Sequence, residues 1–333
     1  MTALKPESID LFWQNYNSAL CSMPIQASFC NPTDPHVSAV IVSFKPDHAA
    51  LVALIKVIRP QVANLLIVNN GIATELPDLG PELKVDIHNL GDNHGIAYAQ
   101  NAGIRRLLAN GATHILLLDQ DSLPAEDMVV QLARALDNLK ERGVPVAAVG
   151  PCYVDSRQGE AASFVYKKGL ALKRHPLAPG INIVKVDFLI ASGCLIPKDV
   201  FSLVGFMEDE MFIDYVDIEW GLRAQILGFN SYGVYSAAMQ HSLGDEWFSF
   251  RGRRIPLHSA HRHYYHFRNA LWLCKRPWIS QSWRAILIIR LLKQFVFFSL
   301  VANKRPHQIR MMLLGVWHGL RNRMGRFDLT PLK

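Results

Sequence analysis

The sequence predicts an α/β protein, with a mostly parallel central sheet and helices on both of its sides. Three observations carry that expectation. Apolar runs and segments of helical spacing follow one another in the order β-α-β-β-α-β from Val37 onward. The aliphatic run Ile115-Leu116-Leu117-Leu118 reads as a strand buried on both faces, as at the centre of a parallel sheet. That run ends in Asp119-Gln120-Asp121, at the carboxyl end of its strand, where open α/β sheets bind their ligands.

Residues 1–35 form a mixed extension; Ser8 to Leu20 has the length of a short helix, and Pro24, Pro32 and Pro35 break the chain after it. Val37 to Ser43 is apolar and β-branched, a clear strand. Leu51, Leu54, Ile55 and Ile58 recur at helical spacing, and Pro60 stops that helix. Asn64 to Val68 is a second strand, ending in Asn69-Asn70-Gly71, and Lys84 to His88 a third. A helix opens at Asn93-His94-Gly95 and runs to about Asn110, before the central strand. Pro124 to Arg142 carries Met128, Leu132, Leu136 and Leu139 on one side of a helix. Strands come next at Val144 to Gly150, Ala162 to Tyr166 and Val184 to Ile190, then a short helix at Asp199 to Val204. The chain divides into the extension 1–35, an α/β unit over 36–250 and a basic helical region over 251–333.

Composition narrows the function. The 333 residues are half hydrophobic and 19% charged, enough for a large core. The net charge of +7 fits nucleic acid, anionic lipid or a phosphorylated substrate, and much of it lies after residue 250. No nucleic-acid recognition motif accompanies it. The five cysteines are scattered and form no CxxC pair, which argues against a disulfide framework or a zinc site and for a reducing cytoplasm. Met1 to Asp10 is polar and shows no signal peptide. Neither GxGxxG nor GxxxxGK[ST] follows the first strand, against a dinucleotide-binding dehydrogenase and a P-loop ATPase.

Two acidic clusters carry the chemistry. Asp119 and Asp121 repel each other unless a cation or donor groups sit between them. Carboxylate oxygens suit Mg²⁺ or Mn²⁺ shared with substrate phosphates. The alternative is a polar turn and helix cap before Pro124. The second cluster is Phe212-Ile213-Asp214-Tyr215-Val216-Asp217-Ile218-Glu219-Trp220, at the start of a helix running to about Leu227. Asp214 and Asp217 would share a face by i,i+3 spacing. A carboxylate there, beneath a strand-end metal site, is a natural general base; the alternative is capping of the helix dipole.

These motifs, in this order and spacing over about residues 37–270, resemble the family 2 glycosyltransferases of GT-A fold, and within them the bacterial rhamnosyltransferases that use dTDP-L-rhamnose. The segments that match are Val42-Ser43-Phe44-Lys45-Pro46, Ile67-Val68-Asn69-Asn70-Gly71, Asn93 to Ala97 through Asn101, Asp119-Gln120-Asp121, Ser192-Gly193 and the Phe212 to Trp220 string. The resemblance implies that Asp121, assisted by Asp119, holds a divalent metal on the donor diphosphate, with His241 as a third ligand or a diphosphate contact. It places Ser43, Asn69 and Asn70 along the nucleoside, and Gly95, Ala97 and Asn101 beside the donor. Asn69 stands where the family usually has Asp, and Val216 where it usually has Glu just before the base. Asp217 matches the base, giving inversion in one displacement without a covalent intermediate. Asp214, Glu219 and Arg223, with Ser192 and Gly193, would support it or the acceptor. Arg262 and Arg268 would clamp the diphosphate through their guanidinium forks.

The C-terminal third suggests a membrane surface. Trp283 to Ala302 is nearly long enough to span a bilayer, but Arg284, Arg290 and Lys293 interrupt it, each costing about 2.5–3.5 kcal/mol at mid-bilayer. Pro306 to Met324 mixes Arg310, Arg321 and Arg323 with Leu313, Leu314, Val316 and Trp317, as interfacial helices do. The alternative is burial against the catalytic core or a twin subunit in a homodimer. The family's lipid-linked glycan acceptors favour the cytoplasmic face of the inner membrane, in polysaccharide synthesis such as O-antigen or capsule.

Overall fold

The computed structural model describes residues 36–73, 76–154, 161–176, 180–241, 246–250, 253–257, 259–301 and 305–327. The expectation for 1–35 lies outside them. The parallel half of the sheet is built from strands β1 (Val37–Ser43), β2 (Asn64–Asn69), β3 (Asp86–Asn89) and β4 (His114–Asp119). All seven residues of β1 are buried, as a strand covered on both faces requires. Helices α1 (His48–Ile58) and α2 (Ile96–Ala109) connect these strands, and the Asp47 side chain caps α1 by accepting from the Ala50 amide at 3.0 Å.

Past β4 come β5 (Ser122–Pro124), α3 (Met128–Glu141), β6 (Val146–Val154), β7 (Ala161–Ala162), β8 (Val165–Lys168), β9 (Ala171–Arg174), β10 (Ile183–Val186), β11 (Leu195–Pro197), α4 (Lys198–Val204), α5 (Val216–Ile226) and β12 (Asn230–His241). The hairpin β13 (Glu246–Phe250) and β14 (Arg253–Leu257) leads into α6 (Ala260–Cys274), α7 (Gln281–Val301) and α8 (Arg305–Leu320).

The main sheet runs β10-β12-β6-β11-β4-β1-β2-β3. β11 is antiparallel and wedged between β4 and β6; Leu195 pairs with both Leu116 and Val149. The chain steps outward from β1 to β3, then returns to place β4 on the other side of β1. This reversal opens a crevice at the carboxyl ends of β1 and β4. Side chains alternate across the sheet. Ile41, Ile67, Leu116 and Leu118 pack with α1 and α3, while Val40, Val68, Ile115 and Leu117 pack with α2, α5 and α6.

The structure moves several expected boundaries. The helix expected from Pro124 starts at Met128, because Ser122–Pro124 pairs with the far end of β12. The strand expected over Val184 to Ile190 stops at Val186, and the Asp187 carboxylate accepts from the Lys167 amide instead (2.5 Å). The stretch around Ala162 to Tyr166 becomes two short strands, with β8 paired to β9.

Helices α6 and α8 touch closely. A Cβ on Gly315 would lie 2.4 Å from the Tyr264 carbonyl oxygen, and one on Gly319 would lie 2.6 Å from that of Arg268. The two glycines thus let backbone meet backbone. No helix among the described residues is long and apolar enough to cross a membrane.

Candidate active site

At the end of β1 and β4 the crevice is braced by one side chain. Gln120 Oε1 accepts from the Phe44 amide (2.8 Å), and its Nε2 donates to the Phe44 carbonyl (3.0 Å). On the other side, the Ser192 hydroxyl accepts from the Asp119 amide (2.9 Å) and meets the Ser122 hydroxyl (2.7 Å). The next residue, Gly193, has φ +76° and donates to the Leu117 carbonyl, where a Cβ would collide with Pro151. Tyr153 donates to the Ser192 carbonyl. Ser192 and Gly193 therefore hold the Asp119–Asp121 turn in place.

Asp119 follows Leu117 by two residues and so projects on the face that carries α5. Asp217 stands in the first turn of α5. Burial pushes its carboxyl up to about 6; the Ile218 amide, donating at 2.8 Å, opposes this, and the Asp214 and Asp119 charges add to it. A cavity of about 10 Å³ lined by Leu117, Ala148, Cys194 and Trp220 abuts Asp217, an apolar wall on that side. Tyr153 is raised by burial first, then by charges that include Asp119 and Asp217, so both carboxylates bear on one small region.

Ser43, Asn69 and Asn89 form a rung across β1, β2 and β3. Asn69 donates to the Ile72 carbonyl and to Asn89 Oδ1, both at 2.9 Å. Among the described residues, Ser43 Oγ and Asn69 Oδ1 are buried without a hydrogen-bond partner. Two such atoms side by side at a strand end are the kind a polar ligand satisfies. Asn70 instead uses its side chain internally, accepting from the His94 amide (2.8 Å) and donating to Asn93 (3.1 Å).

Gly95 and Asn101 also turn inward. Gly95 has φ +90°, and a Cβ there would lie 2.6 Å from the Phe212 carbonyl oxygen, which accepts from the Ile96 amide. Ala97 is wholly buried in the next turn. Asn101 donates to the Met207 carbonyl (2.8 Å) and to Asp209 (2.5 Å), and accepts from the Met207 amide (3.0 Å). These residues dock the 207–212 loop on α2.

Two sequence expectations are corrected here. Asp214 does not share a helical face with Asp217, because α5 begins at Val216 and Asp214 lies before it with φ +66°. Its carboxylate accepts from Arg262 Nη2 (2.6 Å), leaving Arg262 about 42% exposed at the rim. Arg268 is no diphosphate clamp. It has no solvent exposure, and it donates to the carbonyls of Met211 (2.8 Å), Glu210 (3.2 Å) and Gly325 (2.5 Å). Its guanidinium also sits 4.8 Å from the centre of the Tyr265 ring. Reaching a phosphate would strip all of these contacts.

Buried Glu219 and half-buried Arg223 form a bidentate pair (2.7 and 2.8 Å), and Arg223 also donates to the Val204 and Phe206 carbonyls. They tie α5 to the loop after α4. Asp121 is exposed at the crevice. The backbone of His241 pairs with Ser122, one residue from Asp121, while its side chain lies outside the described residues. Among the described residues no group of three metal-ligating side chains forms. Cys152, Cys194 and Cys274 form no disulfide among the described residues, and burial pushes each thiol up.

A doubly wound sheet whose switch-point crevice is edged by two strand-end carboxylates, with a third near Asp119 at a helix start, is the architecture of the GT-A fold. Solved structures agree on the fold. GalNAc-T7 with UDP, GalNAc and Mn²⁺ superposes over 90% of this chain and 66% of its own, at TM-score 0.53 and 12% identity. Staphylococcus aureus TarS in complex with UDP-GlcNAc covers 84% and 81%, at TM-score 0.51 and 12% identity. The chain is 35% identical over 244 residues to the dTDP-rhamnosyl transferase RfbF of Shigella flexneri, across 72% of this chain and 80% of that one. It belongs to the family 2 glycosyltransferases, in their bacterial rhamnosyltransferase branch. The hexosyltransferase Agl10 of Haloferax volcanii, named for low-salt glycan biosynthesis, is 23% identical over 80% of this chain and 85% of its own. No protein-family model matches the chain.

Sequence reasoning missed Gln120 as a brace and Asn269 altogether. Asn269 lies within α6 and is wholly buried. An Asn inside a helix is a poor helix former, and that was the one signal that its side chain serves something else.

Proposed function

We propose that the protein transfers L-rhamnose from dTDP-L-rhamnose to a glycan acceptor on a lipid carrier, with inversion, in the synthesis of a cell-surface polysaccharide such as O-antigen or capsule. The observation that carries this reading is the nearness of the Asp217 carboxylate, in the first turn of α5, to Asp119 at the carboxyl end of β4, close enough that the Asp119 charge raises it. Asp217, raised to about 6, is still ionised at neutral pH and is a strong enough base to take the proton from an acceptor hydroxyl. The attacking oxygen would approach from the face opposite the departing dTDP.

Asp119 and Asp121 offer hard carboxylate oxygens at the crevice, a donor set that fits Mg²⁺ or Mn²⁺. Those two residues would hold such an ion, which would neutralise charge on the leaving diphosphate. Ser43 Oγ and Asn69 Oδ1 are suited to the nucleoside: an amide oxygen accepts from thymine N3–H. Arg262, paired with Asp214 and partly exposed, is the cation this reading assigns to the diphosphate.

The lipid-linked acceptor places the reaction at the cytoplasmic face of the inner membrane. The exposed faces of α7 and α8 support this. Leu292 (62%), Leu300 (64%) and Trp317 (48%) face solvent, and Arg321 lies 4.1 Å above the Trp317 ring. From Trp247 to Phe327 the sequence holds sixteen Lys and Arg and no Asp or Glu. Two copies of such a face would repel, whereas an anionic bilayer attracts it. Flotation with vesicles containing phosphatidylglycerol should carry the protein, and vesicles of phosphatidylcholine alone should not. Equal behaviour with both would remove the electrostatic part of this reading.

A second reading keeps the fold and mechanism but changes the donor, because Asn69 stands where the family usually has Asp. Thermal stabilisation by dTDP-, UDP- and GDP-sugars, each with and without Mg²⁺ or Mn²⁺, separates the two. Selective, metal-dependent stabilisation by dTDP-L-rhamnose is expected. Preference for another nucleotide overturns the sugar, and binding without turnover in any acceptor extract would indicate a non-catalytic assembly protein.

A further inference from the structure

The loop before α5 is held in an unusual shape. Phe212, Asp214 and Tyr215 all have positive φ, at +64°, +66° and +68°. Non-glycine residues rarely adopt that region, and three within four residues persist only if their surroundings impose it. The next turn carries Asp217, so this loop sets where the carboxylate stands.

One side chain meets the loop from beneath. Asn269 Nδ2 donates to the carbonyls of Met211 (2.9 Å), Ile213 (2.8 Å) and Asp214 (2.8 Å). An amide nitrogen has two hydrogens, so at least one is shared between two carbonyls. Asn269 Oδ1 accepts from Arg268 Nε at 2.9 Å, which fixes the amide with its nitrogen toward the loop. Both residues have no solvent exposure. Arg268 adds its own bonds to the Met211 and Glu210 carbonyls. The far side of the loop is closed by Gly95, against the Phe212 backbone. Asn269 thus has no freedom to serve a ligand, and its bonds go to the carbonyls that the left-handed turns direct toward α6.

We infer that Asn269, oriented by Arg268, is the positioning residue for the Asp217 carboxylate, so that the C-terminal helices set the geometry of the acceptor side. The inference rests on the reading of Asp217 as the base. It predicts that loosening this contact harms the chemical step and spares donor binding, since the donor side is built from β1, β2 and the Asp119–Asp121 turn. Helix α6 is bounded by a control residue. Lys275 Nζ donates to the Leu320 carbonyl (2.7 Å) and to Asn322 (2.8 Å), joining the end of α6 to the end of α8 without touching the loop.

The test compares Asn269→Ala, Asn269→Gln and Lys275→Met by dTDP release from dTDP-L-rhamnose, with water in the acceptor's place. Misplacement of a reacting group by about 1 Å costs on the order of 100-fold. Asn269→Ala should lower kcat by about that factor with KM for the donor within about threefold, the pattern of a group acting in the transition state. Asn269→Gln keeps the donors and should recover about tenfold of the loss. Lys275→Met should lower the thermal midpoint and leave kcat within about threefold. Hydrogen exchange gives a donor-independent arm: amides 212–218 should exchange faster in Asn269→Ala and not in Lys275→Met. If Asn269→Ala does not fold, Asn269→Gln carries both arms with a smaller effect. A KM that rises in step with the loss of kcat, or an equal kcat loss in Lys275→Met, would overturn the assignment. If the wild-type protein neither binds nor turns over dTDP-L-rhamnose, the donor reading falls, and unchanged exchange at 212–218 in Asn269→Ala would then refute the positioning role by itself.

Discussion

Asp217→Asn should lower transfer by about 100- to 10,000-fold, the range expected for loss of a general base, while leaving donor affinity within a few fold. It should also make the protein more stable. The Asp217 carboxyl is raised to about 6 in the folded state against 3.8 for an ordinary aspartate. Between those values the unfolded chain is ionised while the folded one holds its proton. Stability therefore falls as pH rises through that window and stays lower above it. A neutral isostere removes the cost, about 2 to 3 kcal/mol for a shift of about two units before allowance for the partial solvent exposure of the group. The measurements are turnover, donor binding and urea midpoints at pH 5 and pH 8. The gain should be larger at pH 8, and wild-type turnover should fall as pH drops below about 6. Lost donor binding, or a variant less stable at pH 8, would sink the base assignment.

Asp121→Ala should abolish the metal-dependent part of donor binding. Asp121 is exposed at the end of the turn, where its carboxylate is open to an ion and a donor. A divalent ion contributes several kcal/mol where charge develops on a diphosphate, so donor affinity in Mn²⁺ should fall at least about tenfold. The check is thermal stabilisation by dTDP-L-rhamnose with Mn²⁺ and with chelator. The wild-type protein should show a large difference between the two conditions, and Asp121→Ala almost none. Binding by the wild-type protein that is indifferent to chelator would remove the metal from the mechanism.

Much of the architecture was legible because local chemistry dictated it. Val37 to Ser43 and Ile115 to Leu118 had to be central strands, since runs this apolar need cover on both faces. The strand-end position of Asp119 and Asp121 followed directly. The acidic string from Phe212 to Trp220, the order of motifs and the excess of positive charge after residue 250 were likewise plain, and they were enough to indicate the family. Helices α1, α2 and α5 lie within a few residues of their expected limits, because their apolar spacing and breakers are local.

Tertiary structure decided what depends on direction and on distant partners. β11 was hidden because three residues, Leu195 to Pro197, carry no period; the gap between β4 and β6 makes them a strand. Arg262 and Arg268 are the same residue type six positions apart, yet one lies at the rim and the other is enclosed among carbonyls and tyrosines. The docking of the 207–212 loop by Asn101 and Gly95 was invisible in sequence, because it depends on partners about a hundred residues away. The sequence by itself determined which chemistry this protein carries: the paired carboxylates, the acidic helix start and the basic helices. Only the folded chain decided which of those side chains face the crevice, because burial and hydrogen-bond partners come from segments far apart in sequence, and a side chain's use follows from where its backbone is aimed.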